Sequence, residues 1–139
     1  MDITDASIAT VISSTVATLL SLYLNNKTTI RYLNDQLDEI IKISIQYPYL
    51  ESELFTSKWD PNDLSDEYIR YENYCTLMFN FLERFCKYYR YDDEKIRVKL
   101  NVRSWVRIHK EYWLKPSTPY DNIDSYDKQF RQLINNYLL

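Results

Sequence analysis

The chain has 139 residues, a net charge of −3, 14 tyrosines and no glycine. This length suits one domain with a substantial hydrophobic core. Phosphate-binding loops, dinucleotide fingerprints, nucleophile elbows and glycine-supported hairpin turns all need a positive φ or a close backbone approach, so a chain without glycine disfavours them. The common nucleotide-binding folds and most all-β folds are therefore not expected.

Apolar residues recur at spacings of three and four along most of the chain, which predicts an all-α protein. We expect a long N-terminal helix followed by an aromatic-rich helical bundle of four to five helices. Residues 1–26 are predicted to form a membrane-anchor or oligomerisation helix. Residues 27–139 are predicted to form the bundle domain, in which 27–47 is a stalk helix continuous with the anchor.

The N-terminal helix contains an uncharged stretch from Ala6 to Leu24. As a helix it is roughly 28 Å long, close to the thickness of a hydrocarbon core. Seven of its 19 residues are Ser or Thr, so a helix packed inside a soluble bundle or an oligomer remains an alternative. Because Lys27 and Arg31 follow the stretch, we expect an inner-membrane protein with its helical domain in the cytoplasm, and a cytoplasmic protein as the alternative.

Small residues repeat every four positions along the same helix, in two rows. The rows are Ala6, Thr10, Ser14 and Thr18, and Ala9, Ser13, Ala17 and Ser21. A face of small residues allows close helix approach in lipid, so these residues are the predicted oligomerisation face of a homo-oligomer. Ordinary helix packing and the lining of an oligomeric pore are the alternatives.

A heptad pattern of larger side chains also follows this helix and predicts that it continues to Pro48. The pattern is interrupted at Asn26. Its members are Ile12, Val16, Leu19, Tyr23, Ile30, Leu33, Leu37, Ile40, Ser44 and Tyr47. Three isoleucines off this pattern, Ile41, Ile43 and Ile45, indicate that the stalk also packs into the bundle.

Three further helical regions are expected after a turn-rich segment, 51–65, that packs on the core through Leu54, Phe55 and Trp59. Caps are predicted at Ser65 or Asp66 for a helix ending near Arg90, at Asp92 or Asp93 for a region reaching Leu114 with a bend near Asn101, and at Asn122 or Asp124 for the last helix. The clearest amphipathic pattern comprises Tyr71, Tyr74, Cys75, Met78, Phe81, Leu82, Phe85 and Tyr89.

His109 is the single histidine, and its position among Val98, Val102, Trp105, Tyr112 and Trp113 predicts a hydrogen-bonded core residue. No catalytic residue, metal ligand or cofactor is assigned. Pairing of Cys75 or Cys86 with His109 lacks a cysteine-hydrolase signature. An enzyme acting on nucleotides or nucleic acid is the least favoured hypothesis.

Basic residues concentrate between Lys95 and Lys115, which carry a net charge of +6 and leave −9 for the rest of the chain. On a continuous helix, a predicted basic stripe of Lys99, Arg103, Arg107 and Lys110 would lie opposite the aromatic face. Such a stripe can bind a phosphate-bearing ligand or anionic lipid. The alternative is a solvated surface, or neutralisation by Asp35, Asp38 and Glu39.

Several segments carry a resemblance to known proteins: Tyr47-Pro48-Tyr49 after the stalk, residues 71–75 and 79–84, and the tryptophan pair within 104–113. Together they resemble a loose group of uncharacterised small bacterial helical proteins with an N-terminal membrane anchor. Some proteins of this kind accompany phage-defence systems as effectors or partners. The resemblance implies a similar role and assigns no catalytic residue.

The expected function is that of a non-enzymatic, membrane-associated and self-associating effector or interaction module. The alternative is a soluble helical subunit of a heteromeric complex that binds a protein partner or an anionic ligand, a nucleotide or nucleic acid, through the basic stripe.

Overall fold

In the computed structural model, the backbone is described for residues 3–139 and the side chains for residues 14–139. This part of the chain contains helices and no strand, which confirms the all-α prediction. The chain forms two compact units, residues 1–35 and residues 36–139. The first unit is helical, and the second contains the aromatic bundle.

Helix α1 (Ile3–Gln46) ends where the sequence predicts, two residues before Pro48. Tyr47 leaves the helical region with φ −129° and ψ 74°, because the proline ring disfavours helical backbone in the preceding residue. A 3₁₀ turn (Pro48–Glu51) follows, and its Leu50 is completely buried. This turn carries the chain from α1 directly into the core.

The bundle contains seven further α-helices among the described residues. They are α2 (Glu53–Thr56), α3 (Asp66–Tyr88), α4 (Asp93–Lys99), α5 (Val102–Ile108), α6 (Lys110–Leu114), α7 (Asp121–Ser125) and α8 (Lys128–Leu138). The predicted turn-rich segment contains α2 and leads into α3, whose start at Asp66 agrees with the predicted cap at Ser65.

Helix α3 supplies much of the core. Every member of its predicted apolar set from Tyr71 to Phe85 is buried, together with Phe79 and Cys86. Around it, the aromatic rings of Phe79 and Trp113 lie 4.9 Å apart between centroids, and those of Trp113 and Tyr126 lie 5.5 Å apart. The large number of aromatic residues therefore serves, in good part, to fill this core.

The region predicted as one bent helix from Asp92 to Leu114 is three short helices. Asn101 caps α5 by accepting a hydrogen bond from the backbone N–H of Ser104, and a second break occurs at His109. Because the helix breaks before Asn101, Val98 lies on a different surface and is 73% exposed, contrary to its predicted place on the aromatic face.

Other local predictions were wrong for similar reasons. Asp127, not Asn122 or Asp124, caps the last helix, because its carboxylate accepts a hydrogen bond from the Phe130 backbone N–H. Leu54, in the single-turn helix α2, and Ile45, near the end of α1, are exposed. A helix at the periphery buries only the side that faces the core. Trp59 does pack on the core as predicted, and its indole N–H donates to the Lys115 carbonyl.

Helix α3 ends in a left-handed turn of the kind that usually contains glycine, although the chain has no glycine. The backbone N–H of Tyr91 donates to the Cys86 carbonyl and that of Arg90 to the Lys87 carbonyl, which together form a Schellman motif. Arg90 and Tyr91 both have positive φ, 55° and 56°. The Tyr91 hydroxyl donates to Asp127 at 2.5 Å, and this contact helps to hold the strained turn.

The predicted membrane span falls partly outside the residues whose side chains are described. Positions 6–13 of the span lie outside that range. Among the described residues, no helix combines the length and apolarity that crossing a bilayer requires.

Candidate functional site

A carboxylate–histidine network lies at the centre of the bundle. Oε1 of Glu51 accepts three hydrogen bonds: from the Tyr74 hydroxyl, from the Trp105 indole N–H at 2.8 Å, and from His109 Nε2 at 3.2 Å. His109 is completely buried, whereas 28% of the Glu51 side chain is exposed. One carboxylate oxygen thus joins the 3₁₀ turn to α3 and to the α5–α6 junction.

The other nitrogen of His109 contacts two side chains of α3. Its Nδ1 lies 2.9 Å from the Tyr71 hydroxyl oxygen and 3.8 Å from Cys75 Sγ. Because the carboxylate of Glu51 only accepts, we assign Nε2 as the donor to it, and this tautomer leaves Nδ1 to accept from Tyr71. The hydrogen bonds therefore run from Tyr71 through the imidazole to the carboxylate.

Local sequence places each member of this network. Pro48 ends α1 and begins the turn that delivers Glu51 one residue after buried Leu50. Tyr71, Tyr74 and Cys75 lie three and four residues apart, so they share the buried face of α3. His109, with φ −101° and ψ 20°, occupies the break between α5 and α6.

The hydrogen bonds of the network favour the charged form of the Glu51 carboxylate. Burial opposes ionisation of Glu51, but the hydrogen bonds from His109, Tyr74 and Trp105 hold its pKa below 4.5. Burial raises the pKa of the Cys75 thiol well above its usual value. Cys75 thus stays a thiol at neutral pH, the less reactive form of a cysteine.

A cleft of about 240 Å³ opens beside the network. Glu51 is the one carboxylate among the described residues that line it, and Tyr74 and Trp105, both hydrogen-bonded to that carboxylate, also line it. The remaining lining comes from the last three turns of α1 and from Leu100, and it is apolar except for Ser44. The site therefore combines a partly exposed negative charge with apolar and aromatic walls.

Comparisons with known proteins give no information about the function of this site. Neither a family model, a curated protein nor a solved structure matches the chain. Within the described part of the chain, no group of three or more His, Cys, Asp and Glu side chains is arranged to hold a metal ion.

The four residues of the predicted basic stripe lie on three different helices. Lys99 ends α4, Arg103 and Arg107 lie on α5, and Lys110 begins α6. Arg103 lies 3.7 Å from Asp93 and stacks over a tyrosine ring of α8, and Arg107 Nε donates to a backbone carbonyl of α8 at 2.8 Å. Both arginines thus help to attach α8, and binding of an anion remains a prediction.

The predicted oligomerisation face is described only in part. The side chains of Ala6, Thr10, Ala9 and Ser13 lie outside the described residues. The other four members, Ser14, Thr18, Ala17 and Ser21, are exposed. The Thr18 hydroxyl donates to the Ser14 carbonyl one turn earlier, at 2.9 Å.

The sequence predicted a buried, hydrogen-bonded His109 but missed Glu51. Glu51 lies at the start of an acidic, turn-rich segment and is 58 residues from His109 along the chain. No local pattern distinguishes it from the solvated acidic residues that follow. Its role depends on the tertiary contact between the 3₁₀ turn and α5.

The pKa of Glu51 predicts a specific loss of stability in acid. Its folded pKa lies below the unfolded value of 4.5, so its contribution is complete above that pH and is lost as the pH falls through the folded pKa. We expect Glu51→Gln to remove this part of the pH dependence. Urea unfolding of both proteins between neutral pH and about pH 3 measures it, and equal pH profiles would contradict the assignment.

Proposed function

We propose that this protein is a helical interaction module that self-associates through α1 and uses the bundle as its binding domain. One observation carries the proposal: six large apolar side chains of α1 are each more than half exposed. They are Val16, Leu19, Leu20, Leu22, Tyr23 and Leu24. A contiguous exposed apolar surface of this kind is typical of an interaction site.

The composition of this stretch adds a second argument. Between residues 10 and 18, six of nine residues are β-branched, and such residues lower helix propensity. A helix of weak propensity in water gains most of its stability from packing an apolar face. A second copy of the chain supplies that packing without charge repulsion, because residues 6–24 carry no charge.

The breadth of the apolar face favours a bundle over a two-stranded coil. Val16, Leu19 and Tyr23 occupy the alternating core positions of the heptad, and Leu20 and Leu22 occupy the flanking positions that are usually charged in dimeric coiled coils. A helix with apolar flanking positions buries them by contacting two neighbours. We therefore propose that three or more chains associate.

The same helix suits a different association in lipid, which is the second candidate. At about 100° per residue, Ser14, Thr18 and Ser21 lie opposite Leu19 and Tyr23. In water the large side chains pack together and the small residues face solvent, whereas in lipid the small residues pack and the large ones face the acyl chains. The hydrogen bond from Thr18 to its own helix favours neither arrangement.

Paired substitutions separate the two arrangements. We expect Leu19→Glu to weaken association in aqueous buffer at least about tenfold, because it places a charge in the packed face. Ser21→Glu, on the opposite face, is the matched control and should leave association unchanged. Sedimentation equilibrium of the two variants and the original chain gives the masses.

The reverse outcome identifies the lipid arrangement. If Ser21→Glu disrupts association in detergent micelles while Leu19→Glu does not, the small-residue face forms the contact. If neither substitution changes the mass in either medium, α1 does not mediate self-association and the proposal is wrong.

A further inference from the structure

The cleft beside Glu51 has the chemistry of a binding site for a small cation. Its volume is about 240 Å³, which is smaller than most sites for drug-sized ligands. Its walls are apolar and aromatic, and the residues described there include no Lys or Arg. A ligand that fits these walls has an apolar body and few polar atoms.

The two oxygens of Glu51 have different environments. Oε1 accepts all three of the hydrogen bonds described above, whereas none of the described residues donates a hydrogen bond to Oε2. Oε2 is also not completely buried. The carboxylate thus retains one oxygen, accessible from outside, that can accept from a bound donor.

No lysine or arginine in the described part of the chain forms an ion pair with Glu51. Its one ion-pair contact among the described residues is with His109, which carries a charge only when protonated. Ser44, whose hydroxyl donates to the Ile41 carbonyl, provides an additional acceptor oxygen in the lining. Trp105, which donates to Glu51 and is partly exposed, lines the cleft with an aromatic ring that can make a cation–π contact.

We propose that this cleft binds a small organic ammonium ion, with the ammonium group on Oε2 of Glu51 and the apolar body against Leu37, Leu100 and Trp105. Charge complementarity selects a cation over a neutral or anionic molecule of the same shape. The small volume favours a free amine over a segment of a folded partner.

Trp105 supplies a direct reporter, because its indole N–H donates to the same carboxylate. We would titrate the full chain with phenethylamine and follow the three tryptophan indole signals by ¹H–¹⁵N NMR. The Trp105 signal should shift and saturate. Trp59 and Trp113 donate to other acceptors and serve as internal controls.

Neutral 2-phenylethanol and anionic 3-phenylpropionate have similar bodies and provide the charge controls. We expect both to bind at least about tenfold more weakly than phenethylamine, because a charge-assisted hydrogen bond is lost. Glu51→Gln should abolish the preference for the amine. Ile41→Phe, which reduces the cleft without altering the network, should weaken binding of phenethylamine.

Three results would overturn the proposal. They are no saturable shift of Trp105 with phenethylamine, equal affinity for phenethylamine and 2-phenylethanol, and an unchanged amine preference in Glu51→Gln with undiminished binding of phenethylamine to Ile41→Phe. Tighter binding of Nα-acetyl-lysine amide than of phenethylamine would also overturn it, in favour of a lysine from a protein partner.

Discussion

His109→Ala is expected to lower the free energy of unfolding by about 3–5 kcal/mol. The substitution opens a cavity where a completely buried ring packed. It also removes the hydrogen-bond partner of the Tyr71 hydroxyl and one of the three donors to Glu51. Since the total free energy of unfolding of a small domain is about 5–15 kcal/mol, this loss would leave a marginally stable protein.

Chemical unfolding at pH 7 with urea measures this effect. Lys110→Ala is the matched control, because Lys110 is the next residue and is exposed. We expect it to change stability by less than about 0.5 kcal/mol. A loss below about 1 kcal/mol for His109→Ala would mean that the network contributes little to holding the bundle together.

Under the proposed self-association through α1, removal of residues 1–24 should give a monomer with an intact bundle. Residues 36–139 form a compact unit with its own aromatic core, and the shortened chain retains the whole of that unit. The exposed apolar residues from Val16 to Leu24 are lost. We therefore expect a monomeric mass by sedimentation and an unchanged unfolding transition of the bundle when its near-ultraviolet signal is followed.

Removal of residues 1–13 alone is the control, because it leaves Val16 to Leu24 in place and should preserve association. Unfolding of the bundle after removal of residues 1–24 would favour the other hypothesis, a soluble subunit whose N-terminal helix belongs to the packed domain. In that case the apolar face of α1 would serve folding rather than assembly.

The sequence predicts the helical class well because its strongest patterns are local. The apolar spacing in α3 identifies the buried face from Tyr71 to Phe85, and Pro48 identifies the end of α1. Both depend on residues within a few turns of each other. The burial of His109 also follows from its apolar neighbours in sequence.

The breaks in the later helices are harder to predict from the sequence, because each depends on a single residue. Asn101 is a helix cap here, yet it lies inside a pattern that continues on both sides. His109 interrupts a helix although it is not a helix-breaking residue, since its side chain is held between Glu51 and Tyr71. A tertiary contact therefore sets the local backbone.

The candidate site could not be predicted for the same reason. Glu51, Tyr74 and Trp105 come from three segments that are far apart in sequence, and the cleft depends on how α1, α3 and the turn after α4 pack. The sequence instead predicts a binding site at the basic stripe, although two of its four residues contact α8.

The mass of the unmodified full chain in solution tests the central claim most directly. Sedimentation equilibrium across a range of micromolar concentrations should give a mass at least three times that of the 16.9 kDa chain, with dissociation on dilution. A mass of a single chain at every concentration, in buffer and in detergent micelles alike, would contradict self-association through α1.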